Sequence, residues 1–220
     1  MGSILIRELV YGDLDEVVKV HMASFHDRAL TQLGKEAVKR YYDIVLKDYQ
    51  ISYPICAVKN EGVICGFCFA GLYPNALSKF LRTNKGFLLS CIILHPWLIT
   101  KSVIRQQLWL AIRLFFTQYG KDTEYKGNTS NTNPDSPNNH GNSYLGILSI
   151  AVHPSYQRKG IGELLLKRSE DIAIEHNFQN LRLTVHPQNL PAVRFYEKTG
   201  WEKIHTEGQW EGQMMKSIVK

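Results

Sequence analysis

A short segment of the chain combines residue types that are suited to binding phosphate groups. It holds two glycines one residue apart, between an apolar, β-branched run at residues 148–152 and an amphipathic helical pattern. Glycines lack a Cβ, so successive backbone N–H groups can point into one cavity, and the helix adds the positive end of its dipole. The segment predicted to bind a pyrophosphate consists of Gln157, Arg158, Lys159, Gly160, Ile161 and Gly162.

A second segment, at residues 189–201, follows a predicted strand at residues 181–185. It contains Tyr196, whose phenol can donate a proton to a leaving group. Asn189 precedes a Leu-Pro pair and a helical run, a pattern that is also typical of a helix cap. The segment therefore predicts a strand followed by a capped helix.

In this order and at this separation, the two segments closely resemble the signature motifs of the GNAT superfamily of acyl-CoA-dependent N-acyltransferases. The resemblance implies an α/β (α+β) fold: a mixed, mostly antiparallel sheet with flanking helices and a splayed central strand pair. It implies acyl-CoA as the co-substrate, no metal, and direct attack of an amine on the thioester in a ternary complex. The predicted donor contacts outside the phosphate segment are Ile150, Ala151, Val152, Asn189 and Phe195.

The implied reaction needs a neutral amine, a donor for the oxyanion and a proton for the leaving thiolate. The resemblance makes Tyr196 the acid, and the Val152 N–H is placed to polarise the thioester carbonyl. His186 is the first candidate for the general base; transfer through ordered water is an alternative that needs no single base. The connection between the first two helices forms the acceptor-side wall in this family, which makes Phe25, His26 and Leu30 candidate substrate contacts.

Hydrophobic periodicity predicts the elements that position these residues. Before the phosphate segment we expect a strand, two helices (the first capped by Asp13) and two hairpin strands, and after it a helix, a strand, a helix and two closing strands. This order matches the GNAT plan over almost the whole chain, so we expect a single domain over residues 1–220. The predicted strands are residues 4–9, 55–58, 63–71, 148–152, 181–185, 201–203 and 213–219. The first two predicted helices are residues 14–25 and 35–47.

Residues 72–144 form an insertion where a compact acyltransferase of this kind needs only a short turn. The first part is apolar with a helical pattern; it is expected either to line an acyl channel or to pack helices onto the sheet. Residues 120–143 are rich in Asn, Ser, Thr, Gly and Pro, which predicts a mobile loop. The candidates for an acyl channel are Leu88, Ile92, Trp97, Leu108 and Phe115.

The positive charge of the chain, +6 in all, is concentrated in residues 71–121, which carry seven basic residues and no Asp or Glu, while the remaining residues have a small net negative charge. The seven basic residues alternate with bulky aliphatic residues rather than stacking aromatics, so we expect no nucleic-acid partner. An acidic peptide or a peripheral membrane contact suits this pattern, and a solvated basic face is the alternative. The basic residues are Lys79, Arg82, Lys85, Lys101, Arg105, Arg113 and Lys121.

The 220-residue chain is 44% hydrophobic and 21% charged, which is typical of an enzyme with one sizeable core. Its four cysteines lie in apolar surroundings and are expected to be reduced thiols. The opening residues lack the basic and apolar regions of a secretory signal, so we predict a cytoplasmic protein. The sequence leaves the oligomeric state open.

Three functions remain for comparison. The first is an N-acyltransferase that acetylates a small molecule, an amino sugar or a peptide side chain. The second is a lipidating enzyme that transfers a longer fatty acyl group to Lys or Orn of a natural-product peptide, for which the apolar insertion would supply a channel. The third is a non-catalytic acyl-CoA sensor, which the retained Tyr196 disfavours.

Overall fold

The computed structural model describes residues 3–59, 62–94, 143–206 and 208–218, apart from the side chain of Ile92. The strands are β1 (Ile4–Glu8), β2 (Ser52–Lys59), β3 (Ile64–Gly71), β4 (Tyr144–Val152), β5 (Asn180–Thr184), β6 (Glu202–Lys203) and β7 (Gln213–Ser217). The α-helices are α1 (Leu14–Ser24), α2 (Ala29–Gln32), α3 (Lys35–Lys47), α4 (Ala76–Thr83), α5 (Lys85–Leu94), α6 (Ile161–Glu175) and α7 (Leu190–Lys198). Short 3₁₀ turns lie at Tyr11–Asp13 and Pro154–Tyr156.

The strands form one 7-stranded sheet in the order β1-β2-β3-β4-β5-β7-β6. Neighbouring strands are antiparallel except for β4 and β5, which are parallel. The connection between these two parallel strands contains α6, as a parallel crossover requires. The predicted mixed, mostly antiparallel sheet with flanking helices is therefore confirmed.

Helices cover both faces of the sheet, which is why every residue of β3 is buried. Cys65 and Cys68 both belong to the core that packs against Leu165 of α6. Strand side chains normally alternate between faces, but Cys65 is the extra residue where the pairing of β2 with β3 shifts register between Ala57 and Val58. On the other face, Phe67 and Phe69 pack with residues of α1 and α3. The sheet thus separates two cores, with β3 and β4 between them.

The two central strands separate partway along their length. Pairing between β4 and β5 begins at Tyr144↔Asn180 and ends at Ile147↔Leu183. On the other side of β4 the pairing with β3 continues to Val152, with a register shift between Phe69 and Ala70 that leaves Leu148 as the extra residue. The carboxyl half of β4 therefore has one paired edge and one open edge, which is the predicted splay.

The predicted helix at residues 35–47 and the hairpin of β2 and β3 are confirmed. Asp13 lies at the predicted N-cap position of α1, but its carboxylate accepts no hydrogen bond from the N–H groups of the helix. It accepts instead from the Val10 N–H at 2.9 Å and from Arg7 at 2.7 and 2.8 Å. The carboxylate is drawn to the guanidinium, because a charged bidentate pair is stronger than a bond to a neutral N–H.

Two helices, α4 and α5, lie within the predicted insertion. The predicted mobile loop, apart from its last residue, and three candidates for the acyl channel (Trp97, Leu108 and Phe115) lie outside the described residues. Among the residues that the structure describes, no helix is long and apolar enough to cross a membrane.

Candidate active site

The segment predicted to bind phosphate forms a turn between β4 and α6. Arg158 and Gly160 both adopt left-handed backbone conformations, with φ of 59° and 78°. Gly160 is the N-cap residue of α6 and supplies no side-chain cap, and a Cβ at this position would meet nothing within 4 Å. The first N–H groups of α6 therefore face open space without a side-chain cap, an arrangement suited to an anion.

Gly162 is required for a different reason. A Cβ at this position would lie 3.1 Å from the ring of Phe195, so the glycine allows α7 to approach α6 closely. Phe195 also contacts the ring of Tyr196, with centroids 5.4 Å apart. The second glycine thus sets the position of α7 and, through it, the position of Tyr196.

The open edge of β4 supplies backbone groups to the same region. The N–H of His153 donates to the Cys65 carbonyl at 2.8 Å, so it points toward β3. Because backbone groups alternate along a strand, the N–H groups of Ile150 and Val152 point to the opposite, open edge. Those two groups are available to an extended ligand that lies along β4.

The carbonyl of Val152 connects three elements. It accepts from Ser24 Oγ at the end of α1, at 3.1 Å, and from Gln157 Nε2 in the turn, at 3.0 Å. Gln157, which was predicted as a donor contact, therefore has a positioning role that sequence alone did not indicate. The two bonds fix the turn and the end of α1 relative to the open edge of β4.

One cavity of about 1060 Å³ joins the turn, the open edge of β4 and the helices α1, α2, α3 and α4. Lys159 and His26 are not among the residues that line it: Lys159 Nζ donates to the Ser155 carbonyl, and His26 is exposed. The remaining predicted site residues line it together: Ile150, Ala151, Val152, Gln157, Arg158, Gly160, Ile161, Gly162, His186, Asn189, Phe195, Tyr196, Phe25 and Leu30.

Tyr196 lies in the wall of this cavity and is 8% exposed. Its ring contacts that of Trp201, with centroids 5.8 Å apart, so it is also part of the core. Burial raises the pKa of the Tyr196 phenol above its ordinary value, and Cys68 adds to this shift. The phenol therefore stays protonated at neutral pH, the state that a proton donor requires.

The candidate base and Asn189 lie on the connection between β5 and α7. His186 is exposed, and its Nδ1 accepts from the Gln188 N–H at 3.3 Å, an arrangement that makes Nε2 the N–H donor of the ring. Asn189 is the N-cap of α7 and accepts from the Ala192 N–H at 3.4 Å. Asn189 thus lines the cavity while capping the helix.

The cavity also has an apolar part, which reaches the first insertion helix. The predicted channel residue Leu88 packs on the cluster around Phe80 and does not line the cavity. The sequence pattern did not indicate the lining residues of α4, because their helical spacing is also typical of ordinary core packing. These residues are Leu77, Phe80 and Leu81, which lie with Leu30, Leu33 and Tyr41.

The described residues hold no cluster of His, Cys, Asp or Glu with the arrangement of a metal site. All four cysteines are free and buried, and none lines the cavity. Burial raises the pKa of Cys56 to about 11 and that of Cys68 to about 12, and it also raises the pKa values of Cys65 and Cys91. These thiols are poor nucleophiles because the thiolate is disfavoured.

A sheet whose two central parallel strands separate beside a glycine-containing phosphate turn defines the acyltransferase fold that the sequence predicted. The chain belongs to the acetyltransferase (GNAT) family, whose model matches residues 15–201.

Curated relatives match a limited part of the chain. An N-alpha-acetyltransferase of Saccharolobus solfataricus is 37% identical over 59 residues, which are 26% of this chain and 35% of that protein. The spermidine N(1)-acetyltransferase of Thermoplasma acidophilum is 36% identical over 62 residues, 28% of this chain and 38% of that protein. The chain thus spans about a third of the length of these curated relatives.

Solved structures match over nearly the whole chain. The ribosomal-protein-S18-alanine N-acetyltransferase of Escherichia coli has a TM-score of 0.55 at 13% identity, covering 99% of this chain and 96% of that one. The PaiA N-acetyltransferase of Thermoplasma acidophilum, solved with coenzyme A, has a TM-score of 0.55 at 17% identity, covering 98% of this chain and 99% of that one. At these identities the likeness shows the fold.

Proposed function

We propose that this protein is an acyl-CoA-dependent N-acyltransferase that transfers an acetyl group to the primary amine of a small molecule, an amino sugar or a peptide. The observation that carries the proposal is the meeting of the phosphate turn, the open edge of β4 and Tyr196 in one cavity. A turn that binds pyrophosphate, an edge that binds an extended chain and an acid beside it match the successive parts of acyl-CoA.

In the proposed mechanism, the turn before α6 binds the pyrophosphate through backbone N–H groups, and the N–H groups of Ile150 and Val152 hold the pantetheine and polarise the thioester carbonyl. A neutral amine attacks the carbonyl carbon, the C–N bond forms and the C–S bond breaks. Tyr196 donates its proton to the leaving sulfur. Ordered water takes the proton of the amine, or His186 takes it at Nδ1 once that nitrogen no longer accepts from the Gln188 N–H.

The test measures binding and turnover separately. Calorimetry with coenzyme A should give saturable binding of one molecule per chain. Thiol release from acetyl-CoA should then increase with at least one amine among spermidine, glucosamine, lysine and a peptide with an amino-terminal alanine. The panel includes acceptors of the kinds that the names of the relatives state. Binding without turnover of any amine would favour a non-catalytic sensor of acyl-CoA.

A longer acyl donor is the second candidate, and one observation favours it. The cavity extends from β4 to apolar side chains of α2, α3 and α4, which could contact methylene groups beyond acetyl. Each buried methylene contributes about 0.8 kcal/mol. This enzyme would transfer a fatty acyl group to the Lys or Orn side chain of a peptide.

Donor length distinguishes the two candidates. If the apolar region receives the acyl chain, kcat/KM should rise from acetyl-CoA through hexanoyl-CoA to decanoyl-CoA, and Leu81→Trp should reduce only the values for the longer donors. Leu88→Trp is the matched control, because Leu88 packs outside the cavity. A steady fall in kcat/KM from acetyl-CoA onward in the wild-type protein would assign the apolar region to the acceptor.

The basic residues of the insertion carry a further proposal, a contact with an acidic peptide or a membrane surface. Of the described members of this group, Lys79 pairs with Asp48 at 3.1 Å, so part of the positive charge is used within the fold. Cosedimentation with vesicles that contain phosphatidylserine, compared with vesicles of phosphatidylcholine alone, tests the membrane contact. Equal recovery with both kinds of vesicle would exclude it.

A further inference from the structure

Three side chains from three separate elements form a hydrogen-bonded chain in the cavity wall. His21 Nδ1 of α1 lies 2.9 Å from Tyr42 Oη of α3, and Tyr42 Oη lies 3.0 Å from Ser149 Oγ of β4. His21 is 6% exposed and Tyr42 is 1% exposed, whereas Ser149 is partly exposed. Of these three groups, the Ser149 hydroxyl is therefore the one most accessible to a substrate.

The protonation states limit how this chain can be oriented. Burial lowers the pKa of His21 to about 4 and raises that of Tyr42, so the imidazole is neutral and the phenol is protonated at pH 7. Each of the three groups then has one proton. The chain can then run in either direction, and in both directions Ser149 Oγ keeps at least one lone pair free for an incoming N–H.

The histidine is held in this chain and has no competing bond. Its Nε2 is buried without a partner among the described residues, and its ring makes edge contacts with Phe25 and Tyr42 at centroid distances of 4.8 and 5.4 Å. Tyr42 is itself stacked on Phe69, with centroids 4.7 Å apart. The rings therefore leave little freedom to the two groups behind Ser149.

Ser149 lies where the sheet opens. It pairs with Phe69 at the register shift that leaves Leu148 unpaired, two residues beyond the last pairing of β4 with β5 at Ile147. The next residue, Ile150, has its N–H on the open edge. The Ser149 side chain faces α1 and α3, the same side as Phe25 and Leu30, so an acceptor entering along these helices meets its hydroxyl beside the open edge.

We propose that Ser149 Oγ accepts a hydrogen bond from the attacking amine of the acceptor, and that Tyr42 and His21 are positioning residues for this hydroxyl. The inference rests on the proposed N-acyltransferase function and assigns the group that orients the amine. A hydroxyl, unlike a carboxylate, does not favour the ammonium form, so it suits a neutral primary amine whose lone pair is directed at the thioester. Ser149 takes no proton in this role.

A double-mutant cycle tests the proposal with acetyl-CoA and the amine of the panel that gives the highest kcat/KM. Ser149→Ala should raise the KM for the amine about tenfold and change the KM for acetyl-CoA less than about twofold, as expected for one lost hydrogen bond. Tyr42→Phe should raise the KM for the amine about threefold in the wild-type background. In the Ser149→Ala background it should have no further effect on this KM, because its action passes through the serine.

Two further variants separate this role from a structural one. Ser149→Thr keeps the hydroxyl and should retain most of the affinity for the amine. Ser169→Ala is the control, because its buried hydroxyl bonds Cys68 and the Leu165 carbonyl on the opposite face of the sheet. It should lower the melting temperature without changing the KM for the amine.

The outcomes distinguish this inference from the proposed function. Additive effects of Ser149→Ala and Tyr42→Phe on the KM for the amine, or an unchanged KM in a folded Ser149→Ala variant, would overturn the inference while wild-type turnover supports the proposed function. A wild-type protein that turns over no amine would overturn both.

Discussion

The two sides of the cavity are built in different ways. The donor side consists mainly of backbone groups: the left-handed turn at Arg158 and Gly160, the start of α6 and the open edge of β4. The acceptor side consists of side chains from α1, α2, α3 and α4. A ligand shared by a whole family can be bound by backbone geometry, whereas a particular acceptor is recognised by side chains that differ between proteins.

The largest expected effect is on the rate of the chemical step, through Tyr196 at the boundary between the two sides. Tyr196→Phe should lower kcat by about 10²- to 10⁴-fold and change the KM for acetyl-CoA little, because the phenol acts on the leaving thiolate. Steady-state kinetics at saturating amine measure both values. Tyr156→Phe, which removes a phenol beside the phosphate turn, is the matched control. A folded Tyr196→Phe variant with near-normal kcat would assign this tyrosine to packing with Trp201.

The next effect tests whether the donor side depends on backbone geometry. Gly160→Asp should weaken the affinity for coenzyme A on the order of 100-fold, because a carboxylate opposes the phosphates and the residue needs a positive φ. Gly160→Asn matches it in size, tolerates this backbone conformation and carries no charge, so it should lose less than about tenfold. Calorimetry compares the two variants, and equal losses would mean that conformation, rather than charge, is responsible.

The third effect concerns the stability of the acceptor side. The unfolded chain protonates His21 near its ordinary pKa of 6.5, while burial holds the folded value at about 4. Between these values the unfolded state binds more protons, so stability is retained above pH 6.5 and falls as the pH drops toward 4. The loss from this residue should be roughly 2–3 kcal/mol at pH 4.5.

Chemical unfolding at pH 7.5 and pH 4.5 measures this change. His21→Asn removes the titrating ring and keeps a polar side chain, so its stability should fall less over the same interval. If the wild-type protein and the variant lose the same free energy of unfolding, the acid sensitivity comes from residues other than His21.

The smallest effect is expected from the cysteines, which contribute to neither side. Because all four thiols are buried and their pKa values are raised, iodoacetamide at neutral pH should leave most of the thiol-release activity intact. Mass spectrometry of the intact protein during turnover should detect no acylated species. An acyl-cysteine that forms and decays at the rate of turnover would contradict direct transfer.

The difference between the two sides of the cavity also explains which site residues could be predicted from the sequence. Gly160, Gly162 and Tyr196 lie within short motifs, so local spacing indicated their contacts, and the hydrophobic pattern predicted the strands that carry them. The two hydrogen bonds of the chain of His21, Tyr42 and Ser149 join residues that are 21 and 107 positions apart, and no local pattern encodes such contacts. His26 was predicted as a substrate contact because it lies in the connection between the first two helices, but in the turn after α1 its side chain is exposed.

The carbonyl of Val152 has a consequence for how a ligand lies along β4. A free strand edge offers N–H and C=O groups in alternation, so an extended chain can pair with it in several registers. Here that one carbonyl already receives two donors, from Ser24 and Gln157, which occupy both of its lone pairs. A ligand amide N–H placed opposite the Val152 carbonyl would therefore find no free acceptor. This edge thus selects the register in which the ligand places an acceptor, and not a donor, at that point. The register in turn fixes how far the reactive end of the ligand extends.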